Sequence, residues 1–149
     1  MLIIAINTAS SAAERKSAIA LIEMGKVLGE ESWYSNRNES ERILPGLDRL
    51  LKENGKSWDD VGGVFVVKGP GSYTSLRVGI TIANTIAWVR KIPMWTTDLD
   101  LMETAGHTFS MAFAQTVSSL NFSQLEKADR VDPLYAAPPK ITPRKRKFS

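Results

Sequence analysis

The hydrophobic pattern at the start of the chain predicts β-structure. Residues 2–6, LIIAI, form a short apolar run that is typical of a buried strand. Residues 17–23 and 26–34 are two further strand-like segments, and only Met24 and Gly25 separate them. Strands joined by so short a link pair as an antiparallel hairpin. The first 34 residues therefore predict three strands, of which the second and third form a hairpin.

A helical period replaces this pattern between residues 39 and 54. Charged residues lie largely on one side of the predicted helix, and the apolar side chains that share the other face are Ile43, Leu44, Leu47, Leu50 and Leu51. Pro45 and Gly46 lie inside the pattern and are expected to bend the helix. The pair Asn54-Gly55 is expected to end it.

The second half of the pattern alternates between strands and helices. Residues 61–67, VGGVFVV, are typical of a parallel strand that is buried on both faces. A glycine-rich turn follows, and residues 73–90 predict a helix, 92–97 a short strand and 98–108 a third helix. From Ser110 the periodicity is weak, and the four prolines of residues 132–143 predict extended coil.

The predicted order of elements is β-β-β-α-β-α-β-α. This order favours an α/β domain with a mixed β-sheet and helices packed on it, in which right-handed parallel crossovers follow an antiparallel hairpin. Actin-like and ribonuclease H-like folds share the order. The length of 149 residues is sufficient for one such domain with its own core.

Composition excludes several classes of protein. The chain has no cysteine, so disulfides and thiolate metal sites are excluded. No apolar run approaches the ~18 residues of a membrane span, and no basic segment precedes the first strand. We therefore expect a cytoplasmic protein that does not bind membranes.

The net charge of +3 is unevenly distributed. The last ten residues carry +5, from Lys140, Arg144, Lys145, Arg146 and Lys147, so the remaining 14 basic and 16 acidic residues give −2. A basic tail of this kind can contact the backbone of a nucleic acid, with Arg144, Lys145, Arg146 and Lys147 as the candidate residues. The alternative is a mobile, solvated end that contacts nothing.

The turn in KGPGSYTSLR, residues 68–77, is a candidate phosphate site. A helix N-terminus attracts anions, and Gly69, Gly71, Ser72 and Thr74 are the residues placed to contact a phosphate or nucleotide. The glycine spacing matches neither the P-loop nor the dinucleotide-binding pattern. Local chemistry therefore favours the alternative, a tight turn that leads into a helix capped by Ser72 or Thr74.

Small residues form a stripe along the helix that follows. Ser75, Gly79, Ala83 and Ala87 recur at a spacing of four, which allows another helix to approach closely. Val78, Ile82 and Ile86 are expected to face the sheet. The stripe is covered either by the helix at residues 39–54 or by a helix of a partner protein. In the second case the interface consists of the four small residues with Leu47 and Leu51.

The chemistry-bearing residues argue against catalysis. His107 is the one histidine, so no histidine cluster exists. The sequence also does not indicate a Ser-His-Asp set around it. The acidic pairs Asp59-Asp60, Asp98-x-Asp100 and Glu39-x-Glu41 lie at predicted element boundaries, where acidic side chains commonly cap helices. The sequence therefore predicts neither a catalytic residue nor a metal site.

The segment KGPGSYTSLRVG resembles a family signature. It is similar to the pattern G-P-G-S-[FY]-T-G-L-R-[IV]-G of the bacterial TsaB (YeaZ) family, except that Ser75 replaces a glycine. LIIAINTAS, ILPGLDRLLKENGKSWDDVGGVFVVKGPG and IPMWTTDLDLMETA resemble other family segments in the same order. The good match covers residues 1 to about 106, and VDPLYAAPPKITPRK is similar, more weakly, to the family's closing segment.

The resemblance implies an actin-like fold of which this chain keeps the first lobe. Residues 1–109 would form that lobe, residues 110–139 a reduced segment in place of the second lobe, and residues 140–149 a basic flexible tail. Asn7 stands where actin-like kinases have an acid that helps to hold the metal, and an amide is a weaker ligand for a hard cation.

The resemblance also implies a function. Members of the family are non-catalytic partners of the catalytic subunit TsaD, with the ATPase TsaE joining, in the complex that places threonylcarbamoyl on N6 of adenosine 37 in tRNA. This chain would have no cofactor of its own, with ATP at the complex interface, and can pair with itself when free. The alternatives are a small nucleotide-binding phosphotransferase of the actin-like class and a direct tRNA binder that uses its tail.

Overall fold

A computed structural model of the protein describes residues 1–9, 15–36, 38–99 and 109–134. Short 3-10 helices at Trp58–Asp60 and Phe122–Gln124 accompany the regular elements. The regular elements are, in chain order, β1 (Leu2–Asn7), β2 (Lys16–Glu23), β3 (Lys26–Tyr34), α1 (Glu39–Glu53), β4 (Val61–Val67), α2 (Tyr73–Arg90), β5 (Met94–Thr97), α3 (Phe109–Ser119) and β6 (Glu126–Ala128).

The described strands form one mixed sheet in the order β3-β2-β1-β4-β5-β6. β2 pairs antiparallel with both β1 and β3, so the predicted hairpin is confirmed. β4 pairs parallel with both β1 and β5, and β6 adds to β5 in the antiparallel direction. The two parallel pairings place β4 in the interior of the sheet, which explains its continuous apolar sequence.

The helices lie on both faces of the sheet. Pairing of Ile6 with Ile19 and with Val66 places these three side chains on one face, and Phe65 on the other. Gly46 of α1 lies against the Ile19 side chain, whereas the ring of Phe113 in α3 lies 6.5 Å from that of Phe65. α2 packs on β4 and contacts α1, so α1 and α2 cover one face and α3 the other.

The C-terminal part of the described chain differs from the prediction. α3 lies where no element was expected, and it packs against β2 and β3 through Phe113, Ala114 and Val117. β6, also unexpected, extends the sheet by three residues. The described residues after 109 thus add to the same layers as the rest. The helix predicted at 98–108 lies almost wholly outside the described residues, and the three domain boundaries remain predictions.

α1 runs without a break through Pro45.

β3 forms one edge of the sheet and contains a bulge, because Leu21 pairs with Gly29 while Ile22 pairs with Val27. The bulge leaves Leu28 as the extra residue.

Candidate functional site

The glycine turn connects β4 to α2 at the carboxyl end of the parallel strands. β1 and β4 are parallel neighbours, so Asn7 and Thr8, which follow Ile6, lie at the same edge of the sheet as the turn. α2 begins at Tyr73 directly after it. This edge is where α/β sheets commonly bind ligands.

Glycine is required at position 69 for two reasons, the backbone conformation there and the close approach of Leu134. Gly69 has φ of 131°, which L side chains rarely adopt, and the peptide to Pro70 is cis. A Cβ atom at Gly69 would collide with the backbone carbonyl of Leu134. The N–H of Leu134 donates to the carbonyl of Lys68 at 2.7 Å, and that of Leu99 to the carbonyl of Gly69 at 2.6 Å. The chain's own backbone therefore covers the turn.

The other phosphate candidates have different surroundings. Gly71 is buried, and Ser72 and Thr74 are exposed. Ser72 is the N-cap residue of α2, and its carbonyl accepts the N–H of Leu76 at 3.0 Å, but its side chain makes no capping hydrogen bond. Phosphate contact by these residues remains a prediction.

Two buried polar side chains end β1. Asn7 and Thr8 are 0% and 1% exposed. The Oδ1 atom of Asn7 accepts the N–H of Ala9 at 2.9 Å, whereas its Nδ2 atom and the Thr8 hydroxyl have no hydrogen-bond partner among the described residues. The Thr8 side chain lies against Gly79 of α2, where a Cβ atom would collide with it.

The small-residue stripe is an internal contact. Gly79 packs on Thr8, and the other residues expected at a partner interface are at most 6% exposed: Ser75, Ala83, Ala87, Leu47 and Leu51. These side chains are already buried within this chain, so they do not present the surface that the partner hypothesis needs. Val78 and Ile82, which were expected to face the sheet, are only half-buried.

The opposite side of α2 is exposed and has an aromatic residue near its end. Trp88 is 80% exposed and Val89 is 61% exposed. The exposed residues that share this side at helical spacing, here called the outer face, are Thr74, Arg77, Thr81, Thr85 and Trp88. An open groove of about 480 Å³ beside Trp88 is also lined by Ile92, Lys91 and Asp129. No sequence pattern marks Trp88 as a functional residue, because a single tryptophan among polar residues does not show that its ring is exposed.

Charged groups elsewhere serve structural contacts. Glu39 is buried at the start of α1 and accepts hydrogen bonds from Ser35 at 2.5 Å and Ser17 at 3.2 Å. The hydrogen bond from Lys52 holds the pKa of Asp48 below its usual value, and backbone N–H donation by Ser57 does the same for Asp60.

The described part of the chain holds neither a metal cluster nor a membrane-spanning helix. Within it, no three His, Cys, Asp or Glu side chains cluster as a metal site would require. Within the same residues, no helix is both long and apolar enough to cross a membrane. His107 and the basic residues 140–147 lie outside the described residues.

Comparison with known proteins gives the family. The family profile described as "TsaD: tRNA N6-adenosine threonylcarbamoyltransferase" matches residues 30–116, more than half of the chain. Curated TsaB proteins match as well. The chain belongs to the TsaD–TsaB (YeaZ) family. The predicted resemblance is thereby confirmed.

The matched regions cover only part of each relative's length. TsaB of Bacillus subtilis is 37% identical over 94 residues, which are 63% of this chain and 39% of that protein. TsaB of Escherichia coli is 35% identical over 94 residues, 63% of this chain and 38% of that protein. The chain therefore spans about two fifths of the length of these TsaB proteins.

A solved structure supports the fold. YeaZ from Pseudomonas aeruginosa superposes with a TM-score of 0.58 and 24% identity, covering 65% of this chain and 43% of that one. The mixed sheet with helices on both faces and this likeness confirm the α/β, actin-like (ribonuclease H-like) fold class.

Proposed function

We propose that this protein is a non-catalytic partner subunit of the tRNA threonylcarbamoyladenosine modification machinery, which supports a TsaD-type catalytic subunit through a helical surface. The observation that carries the proposal is the exposed outer face of α2, with Trp88 near its end, in a chain of the TsaD–TsaB family. The relatives' names link that family to this tRNA modification.

The outer face has the chemistry of a helix-docking surface. A tryptophan that is 80% exposed leaves a large apolar ring in water, and tryptophan is among the residues that contribute most to binding energy at interfaces. Thr81 and Thr85 precede Trp88 along the same face and are short enough to allow close approach by another helix. Leu44 of α1, which contacts α2, is a further exposed apolar side chain at 44%.

The buried side of α2 explains why the outer face is the part available to a partner. Leu76, Ile80 and Ala83 are at most 2% exposed, so the helix is fixed to the sheet before any partner binds. A fixed helix loses little conformational entropy on binding. The sequence left the small stripe as either an internal contact or a partner contact. We propose that the partner contact lies instead on the outer face of the same helix.

Complex formation with a TsaD-type subunit tests the proposal. The purified chain and the TsaD-type protein of the same organism are expected to co-elute in size-exclusion chromatography at micromolar concentration. A TsaE-type ATPase and tRNA are then expected to join the complex rather than the free chain. Separate elution of the two proteins at every concentration tested would contradict the proposal. If the free chain elutes as a dimer and TsaD dissociates that dimer, self-association and TsaD binding use the same surface.

We expect no ATP hydrolysis by the chain alone. The glycine turn is covered by Leu134, Asn7 is neutral, and the turn lacks the P-loop lysine. Any ATP site is instead proposed at the interface of the complex. Steady-state phosphate release should stay at the blank level, measured with and without Asn7→Ala. Turnover that Asn7→Ala abolishes would support the phosphotransferase alternative.

The basic tail is proposed to contact the tRNA backbone. Deleting residues 140–149 removes five positive charges. The slope of log K against log salt for tRNA binding by the assembled complex should become shallower, because fewer counterions are released. Replacing only Arg144, Lys145, Arg146 and Lys147 with serine gives a length-matched control. Unchanged slopes in both variants would indicate that the tail makes no such contact.

A further inference from the structure

The segment Asp129–Leu134, here called the strap, crosses from β6 to the glycine turn. The N–H of Leu134 donates to the carbonyl of Lys68, and the carbonyl of Leu134 lies against Gly69. Between these ends Val131 is buried in the hydrophobic core, and its backbone is held by the side chain of Asn84. The Nδ2 atom of Asn84 donates to the carbonyl of Val131 at 2.9 Å, and the N–H of Val131 donates to Oδ1 of Asn84 at 2.8 Å.

The strap buries little apolar surface among the described residues. Val131 is 3% exposed and is the one strap residue classed as buried. Leu134 is 45% exposed, and the Arg130–Asp132 ion pair has side chains that are 80% and 79% exposed, so it adds little. Segments with so little buried apolar surface open locally at a lower cost than the whole domain unfolds.

The connection to the sheet at the other end is firmer. β6 pairs with β5, and Lys68 forms an ion pair with Glu126 at 3.0 Å. The strap can therefore detach from α2 and the turn while it remains attached at β6. Detachment would uncover Gly69 and both polar groups of the Asn84 amide, next to the outer face of α2.

We propose that the strap is a latch that closes the glycine turn, that it opens as one unit while the domain stays folded, and that Asn84 is the residue that holds it shut. This inference does not depend on the identity of any partner. It assigns a role to Asn84, whose amide makes a matched donor–acceptor pair with the backbone N–H and carbonyl of one strap residue, Val131.

Thiol labelling of the full chain tests the latch directly, since the protein has no native cysteine. Val131→Cys reports opening of the strap, and Val64→Cys, at a core position that is 0% exposed, reports global unfolding. Val131→Cys should react at least about tenfold faster than Val64→Cys and more slowly than a free thiol. Equal rates for the two cysteines, or a Val131→Cys rate equal to that of a free thiol, would overturn the proposal.

The role of Asn84 is tested by combining Asn84→Ala with each cysteine. Loss of two hydrogen bonds should accelerate labelling of Val131→Cys by about tenfold, and labelling of Val64→Cys by no more than the same factor, because strap opening and global unfolding both break these bonds. Thr85→Ala is the matched control, because the Thr85 hydroxyl bonds only within α2, to the carbonyl of Thr81. Absence of any acceleration of Val131→Cys, or an acceleration confined to Val64→Cys, would show that Asn84 does not hold the strap.

Amide hydrogen exchange provides a measurement without cysteine substitutions. Asn84 does not bond to Leu134, so Asn84→Ala should lower protection of the Leu134 N–H only if the strap opens as a whole. We expect that protection to fall by about tenfold. Retention of Leu134 protection alongside loss at Val131 would reject the single-unit latch.

Discussion

Replacing Trp88 with alanine is expected to weaken binding to the TsaD-type partner by about 30-fold or more. Truncating a central aromatic anchor typically costs ~2 kcal/mol or more of binding free energy. The ring is 80% exposed in the free chain, and alanine is the better helix former, so the free energy of unfolding should change by less than about 0.5 kcal/mol. Isothermal titration and urea denaturation measure the two quantities.

Tyr34 supplies the matched control for this experiment. It is also an exposed aromatic residue, at 70%, but it lies on the edge strand β3 rather than on a helix. Tyr34→Ala should leave partner affinity within about twofold, as expected for a residue outside the interface. Equal losses from both substitutions, or no loss from Trp88→Ala, would place the partner surface elsewhere than on α2.

Replacing Gly79 with alanine is expected to destabilise the fold by ~1–3 kcal/mol, as an overpacked core contact does. In an exposed helix the same change would stabilise by up to ~1 kcal/mol. Here the new Cβ atom would meet the Oγ1, Cγ2 and Cβ atoms of Thr8. Thr8 directly follows β1 and is buried, so its side chain cannot move away freely. Urea denaturation compares the variant with the parent protein.

Substitutions at Gly46 and Thr8 test whether the clash with Thr8 causes the loss of stability in Gly79→Ala. A Cβ atom at Gly46 would lie 2.6 Å from Cδ1 of Ile19, the end of a flexible side chain, so Gly46→Ala should cost less than Gly79→Ala. Thr8→Ala removes two of the three clashing atoms and should restore part of the lost stability, with a coupling free energy of ~1 kcal/mol. Full additivity of Gly79→Ala and Thr8→Ala would mean that the two residues do not touch.

The strongly periodic segments were predicted correctly from the sequence, because local pattern and tertiary contacts agree there. The hairpin at residues 16–34, the helix at 73–90 and the strand at 61–67 all lie where expected. α3 was missed because its small and hydroxyl residues, such as Ala114 and Thr116, are buried alongside Phe113 and weaken the contrast between its faces. β6 was missed because its three residues join the sheet by backbone pairing rather than by an apolar pattern.

The site was less predictable than the fold. The stripe of small residues correctly indicated close packing on α2, but a spacing of four cannot identify the neighbour, which at Gly79 is Thr8. Likewise, the need for glycine at position 69 arises from Leu134, which is 65 residues away in sequence (134 − 69). Such long-range contacts leave no local signal, and neither does the exposure of Trp88.

The bulged edge strand has a consequence for aggregation. A second copy that added to β3 in the antiparallel direction about its centre would bring two Glu30 carboxylates directly opposite each other, and such like-charge pairs are unfavourable. The bulge at Leu28 also interrupts the row of backbone groups that an added strand would need. At high concentration, this edge of the sheet is therefore protected against growth into a continuous intermolecular sheet.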